Sequence, residues 1–204
     1  MPLGGSVTYG VGSSDGNGYR QFLRDMLLVD GYQTCFVGSR RSGSMSNSDN
    51  EGWRGYRLDQ IDHRARRSVP TLLPNVFLIN AGSNDCIQDF QLDGFGQRMN
   101  NLLEYLWQAA PTSAVILSTL LVNADKQVNS RVSRVNDQLR NLVEIKAGEH
   151  KRIILADMRT AEGPQVGDLV DGTHPNDEGY KKMAGVWLNA IRQAKITDRE
   201  RQMQ

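Results

Sequence analysis

The 204-residue chain carries 24 Lys and Arg against 23 Asp and Glu, a formal net charge of +1. That balance argues against electrostatic binding to nucleic acid or to an anionic membrane, and apolar stretches such as Ala114 to Val122 fall well short of the roughly 20 residues that span a bilayer. Apolar residues at 39% and charged residues at 23% are ordinary for a globular chain, and at about 150 residues per domain the length predicts one domain over 1–204. Cys35 and Cys86 are too few for a disulfide scaffold and are expected as two free, buried thiols, with a single bridge as the alternative. No Cys/His cluster marks a metal site. The opening MPLGGSVTYG has neither a basic start nor a long apolar run, so no signal peptide is expected in it.

In chain order, Met1 to Leu3 is a short apolar start that runs into a Gly-rich turn. Tyr19 to Leu28 places Phe22, Leu23, Met26 and Leu27 on one helical face, and Asp30-Gly31 stops it. Gln33 to Val37 reads as a short strand. Gly38 to Gly52 is almost devoid of apolar residues and reads as a long surface loop. Tyr56 to Arg67 is a basic amphipathic helix, and Pro74 to Asn80 contains the buried strand VFLI. Phe95 to Ala109 is a helix with Leu102, Leu103, Leu106 and Trp107 turned inward. Ala114 to Leu120 is a strand, Lys126 to Lys146 a helix, Arg152 to Ala156 a strand and Asn176 to Ala194 the last helix. A polar tail begins near 195. Short apolar strands alternating with helices predict an α/β fold: a five-stranded parallel sheet covered by helices on both faces, a three-layer sandwich.

Ligands in such folds bind beyond the carboxyl ends of the strands. The residues at those ends are Gly4-Gly5-Ser6, then the segment Glu51 to Tyr56, then Gly82-Ser83-Asn84-Asp85. Asp171-Gly-Thr-His174 precedes the last helix. Taken alone, Ser6 is as good an N-cap as a nucleophile, and Asn84 as good a loop-satisfying amide as a ligand. The histidines are more selective. Acyl transfer needs a base that titrates near neutrality. His63 lies among arginines on a helix and His150 in a charged turn. Only His174 falls at the predicted active edge, with Asp171 three positions earlier, a spacing that lets the carboxylate reach the ring nitrogen.

The order Gly-x-Ser, loop Gly, Gly-x-Asn-Asp and Asp-x-x-His resembles the SGNH hydrolases, also called the GDSL esterase/lipase family, from Leu3 to about Trp187. The strings PLGGSVTYG, EGWRGYRLDQI, NAGSND and DGTHPNDEGY are similar to carbohydrate esterase family 3, which includes acetyl xylan esterases. The resemblance implies a flavodoxin-like sheet, with Ser6 as nucleophile, His174 as general base and Asp171 as its orienting partner. It implies an oxyanion hole made by the Ser6 N–H, the Gly55 N–H and the Asn84 amide, with Gly at 55 so that no side chain crowds the acyl group. It further implies acylated carbohydrate as substrate, a secreted monomer and no cofactor; the short first strand fits a trimmed form of such a protein. Trp53 and Tyr56 flank Gly55 and are candidates for stacking on a sugar, or for packing the loop. Arg40, Arg41 and Arg54 make that rim basic, as a solvated rim would be.

One position departs from the family: Gly5 stands where Asp is usual. Loss of that carboxylate loosens the nucleophile turn. Two alternatives stand beside a carbohydrate esterase: a lipid or thioester acyl hydrolase on the same residues, and, through Gly5, a non-catalytic carbohydrate-binding protein.

Overall fold

In the computed structural model, the backbone is described for residues 1–202 and the side chains for residues 1–194. The elements in chain order are β1 (Pro2–Gly4), α1 (Ser6–Tyr9), α2 (Tyr19–Val29), β2 (Arg40–Arg41), β3 (Asp49–Gly52), α3 (Leu58–Leu72) and β4 (Val76–Asn80). They continue with α4 (Ser83–Gln88), α5 (Phe95–Ala109), β5 (Ala114–Ser118), α6 (Lys126–Gly148), β6 (Ile153–Ala156) and α7 (Asp177–Gln202). The strands form one sheet in the order β2-β3-β1-β4-β5-β6. Pairings from β3 through β6 are parallel, and β2 adds an antiparallel edge to β3.

Alternation along the strands feeds two cores. Leu3, Phe77, Ile79, Val115, Leu117 and Ile153 face one side, where they meet Leu58 and Ile61 of α3, Phe95 and Leu103 of α5, and Val135 and Leu139 of α6. Leu78, Ile116 and Ala156 face the other, against Tyr19, Leu23 and Leu27 of α2 and Tyr180, Met183 and Trp187 of α7. This is the three-layer α/β/α sandwich expected from the alternation of strands and helices. Each fully buried side chain of this size contributes roughly 1.5–3 kcal/mol over its exposed state.

Three segments differ in kind from the expectation. Gln33 to Val37 is not a strand: the Asn47 side chain engages both the N–H and the carbonyl of Phe36, which occupies the backbone groups a ladder would use. The parallel place beside β1 is taken instead by the polar segment DNEG of β3, inside the stretch read as a loop. The residues from 195 read as a polar tail continue the α7 backbone helix to Gln202, and 203–204 lie outside the described residues.

The long polar segment is held by one buried cation. Arg20, on α2, has 0% exposure. Its guanidinium donates to the carbonyls of Tyr9, Gly16, Ser42 and Ser48 and to Ser42 Oγ at 2.8–3.2 Å. Burial pulls its pKa below the ordinary arginine value. The thiols are both free, with Cys86 buried as expected and Cys35 exposed.

Candidate active site

Strand register builds the site. Gly4 pairs with Gly52 of β3 on one side and with Asn80 of β4 on the other. All three strands run parallel, so their ends lie side by side, and the loops that follow carry Ser6, Gly55 and Asn84 respectively. Gly4 permits this approach: a Cβ there would sit 2.0 Å from the Asn80 carbonyl oxygen. The Trp53 N–H donates to the Gly4 carbonyl at 2.9 Å, which ties the second loop to the first.

The fourth segment arrives from the far side of the sheet. Residues 168–176 form a loop closed by the Leu169–Pro175 bridge, and the Val170 N–H donates to the His174 carbonyl at 2.9 Å. The loop after β5 pins it: Asn123 Nδ2 donates to Thr173 Oγ1 at 3.0 Å, and the Ala124 N–H to the Gly172 carbonyl at 2.8 Å. From α7, the Tyr180 hydroxyl donates to the Val11 carbonyl at 2.6 Å, which holds the segment after α1 against the same region.

His174 Nε2 lies 2.7 Å from Ser6 Oγ, and His174 Nδ1 lies 2.7 Å from Asp171 Oδ2. An ionised carboxylate only accepts, so Nδ1 carries the proton and Nε2 is left to accept from the Ser6 hydroxyl. Asp171 Oδ1 accepts the His174 N–H at 2.8 Å and the Thr173 N–H at 3.0 Å. Partial burial pushes the Asp171 carboxyl up, but the bonds from the His174 ring and the two N–H groups outweigh it and hold it below the usual carboxylate range.

A cleft of about 380 Å³ opens over this pair, lined by Ser6, Val11, Arg54, Gly55, Ser83, Asn84, Ile87, Thr173 and His174. Gly55 has φ of 77°, and a Cβ there would meet no protein atom within 4 Å, so glycine is required by its left-handed backbone. Among the described residues neither the Ser6 nor the Gly55 N–H has an acceptor. One Asn84 Nδ2 hydrogen goes to the Tyr56 carbonyl at 3.0 Å, which leaves the other free. Asp85 stands in the sequence as the last residue of the Gly-x-Asn-Asp motif, with no role of its own. It is fully buried, accepts the Leu58 N–H at 2.9 Å and pairs with Arg98 at 2.7 Å, so Asn84 and Asp85 together brace both ends of the 56–58 segment. Burial raises the Asp85 pKa, opposed by Arg98 and the Leu58 N–H.

Trp53 and Tyr56, candidates for sugar stacking, stack on each other with centroids 5.4 Å apart. Trp53 is further covered by the guanidiniums of Arg40 at 4.5 Å and Arg64 at 4.1 Å, and its Nε1 donates to Glu51 at 2.9 Å. Neither ring lines the cleft. His63 is exposed and His150 caps α6 at φ 60°; both lie apart from it.

At Gly5, φ is −93° and a Cβ would meet Asn84 Nδ2 at 3.5 Å, an ordinary contact. Beside it is a void of about 10 Å³, lined by Gly5, Ser6, Val7, Tyr56, Asn80, Gly82, Ser83 and Asn84. One water fills such a space.

Residues 3–182 match the model of the GDSL-like Lipase/Acylhydrolase family. The chain belongs to that family. This places it among the carboxylic ester hydrolases of SGNH fold. It is 27% identical over 220 residues to a multidomain esterase of Ruminococcus flavefaciens, covering 94% of this chain but only 28% of that protein's length. A family 3 carbohydrate esterase of Clostridium thermocellum superposes with a TM-score of 0.85 at 25% identity, covering 97% of this chain and 96% of the other. One from Talaromyces cellulolyticus gives 0.82 at 22% identity, covering 96% and 97%.

Proposed function

We propose that this chain is a serine esterase that removes short acyl groups, foremost acetyl, from carbohydrate. The observation that carries the reading is the continuous hydrogen-bonded run Ser6–His174–Asp171 opening into a cleft. Ser6 Oγ attacks the ester carbonyl while His174 Nε2 takes its proton, and Asp171 stabilises the imidazolium that results. The negative charge on the tetrahedral oxygen is met by the Ser6 N–H, the Gly55 N–H and the free Asn84 hydrogen; one such donor contributes roughly 3–4 kcal/mol. His174 then returns the proton to the leaving sugar hydroxyl, and a water activated by the same nitrogen releases the acid. The similarity to family 3 carbohydrate esterases supports sugar as the alcohol half. Val11 and Ile87 are the aliphatic side chains that line the cleft, which favours a short acyl group over a long chain.

Trp53 and Tyr56 act in this reading through the Gly55 loop. Each ring braces the other, Arg64 lies on both, and Arg40 covers Trp53.

The test is hydrolysis of nitrophenyl acetate. Ser6→Ala is expected to lower kcat by about four orders of magnitude or more, with the far-ultraviolet circular dichroism unchanged. Equal rates in the two proteins would overturn the role of Ser6.

A further inference from the structure

Three arginines gather beside the cleft in a chain whose net charge is only +1. Arg54 is exposed and lines the cleft with Ser6 and His174. It stands one residue before Gly55. Its guanidinium lies 6.0 Å from the centroid of Tyr9, and that of Arg40 lies 5.5 Å from the same ring. Arg40 and Arg64 also lie on Trp53. Three guanidiniums thus share two adjacent rings, and among the described residues none of the three has a carboxylate within ion-pair distance. Neighbouring arginines show the contrast: Arg41 pairs with Asp49 at 3.1 Å and Arg57 with Asp59 at 3.2 Å.

Two carboxylates of the flanking segments are committed elsewhere, and Asp59, which shares a separate hollow with Arg64, pairs with Arg57. Glu51 is fully buried and accepts from Ser39 and Trp53. Asp171 is bonded to His174 and does not line the cleft. No Asp or Glu lines the cleft. Like charges gathered without a counter-ion repel, and an arriving anion relieves that repulsion. Guanidinium is also the side chain whose planar fork matches a carboxylate.

Resting on the esterase reading above, we propose that Arg54, supported by Arg40, binds the carboxylate of an acidic sugar adjoining the acylated residue. The preferred substrate class is then an acylated, uronate-bearing carbohydrate.

Two measurements test this separately from catalysis. Binding of unacetylated oligogalacturonate to Ser6→Ala is followed by calorimetry, alongside the same oligosaccharide with its carboxyls reduced to alcohols. The charged form is expected to bind about tenfold more tightly, 1.4 kcal/mol. The difference should collapse towards unity when Arg54→Gln is added, survive in part with Arg54→Lys, and shrink in about 0.5 M salt as screening shortens. In the active protein, acetate release from the acetylated pair should show the same charged-to-neutral ratio in kcat/KM, carried mainly by KM. Equal binding of the two forms, or a preference that survives Arg54→Gln, overturns the inference. If the charged form binds through Arg54 but no ester of any kind is cleaved, the esterase reading falls and this one stands.

Discussion

Gly5 is the residue at which the chain departs from the pattern it otherwise resembles. The sequence comparison made it a loss, because a carboxylate usual at that place is missing. The structure shows what the loss leaves behind: a backbone whose φ of −93° does not demand glycine and a void of about 10 Å³ against Asn84. Gly5→Asp is therefore expected to fold and to hydrolyse nitrophenyl acetate with a kcat/KM at or above that of the parent. A tenfold fall would mean that the backbone freedom itself is needed. His174 could be picked out in the sequence because it alone of three histidines falls at the predicted active edge, and Asp171 and Ser6 through their spacing and order relative to it. Asn123, Thr173 and Tyr180, which set the distances between them, could not: nothing in a lone Asn or Tyr announces a partner 50 or 169 positions away.

At the level of elements, pattern and structure part where polar groups replace apolar ones. The strands VFLI and AVIL announce themselves by continuous burial. DNEG does not, yet it is the strand that delivers Gly55, because its backbone pairs with β1 and its buried Glu51 and Asn50 find donors and acceptors nearby. Helix α3 shows another such substitution. It was expected to stop at Arg67 but runs through Pro70 to Leu72. Pro70 has no N–H for the carbonyl of Arg66. The Tyr105 hydroxyl of α5 donates to that carbonyl at 3.1 Å instead. Tyr105→Phe is expected to lower unfolding stability by about 1 kcal/mol, read from denaturant midpoints. No loss would mean that solvent satisfies Arg66 equally well.

Across the whole molecule, acid acts on a few paired carboxyls: Glu104, held low by Lys146 and Lys151, Asp157, whose partial burial is outweighed by its bonds to Arg140, the Arg159 N–H and Thr119, and a cluster of three around His174. Asp168, Asp171 and Asp177 all lie in or beside the loop that carries His174, and all have depressed pKa values. Asp168 is held low first by the Gln165 N–H and then by Lys182, and Asp177 by the Ser14 contacts. A carboxyl with a lower pKa folded than unfolded stabilises the fold above its unfolded value, about 3.9 for Asp. That stability disappears as pH falls through the folded value. Thermal midpoints should thus be level near neutrality and fall below about pH 4, and hydrogen exchange should rise first at Thr173 and His174. Uniform loss across the sheet would contradict a local origin. The sandwich was legible from alternation alone, because burial on both faces of a parallel sheet forces apolar strands. The partition of helices between its faces was not, since it depends on which crossovers meet which core.

The pairing of Gly4 with both Gly52 and Asn80 has a consequence for how such a protein diversifies. Three reacting positions hang from three rigid strand ends, whereas Arg54 and Ile87 sit on the stretches beyond them. Exchanges at Arg54 or Ile87 alter what the mouth recognises and leave the spacing beneath untouched, whereas an insertion before Gly55 would displace it. A slip of one residue in β1 does the reverse, since it turns every side chain of the strand to the opposite face. Selectivity can drift by small steps here, while the reacting centre is inherited whole or lost.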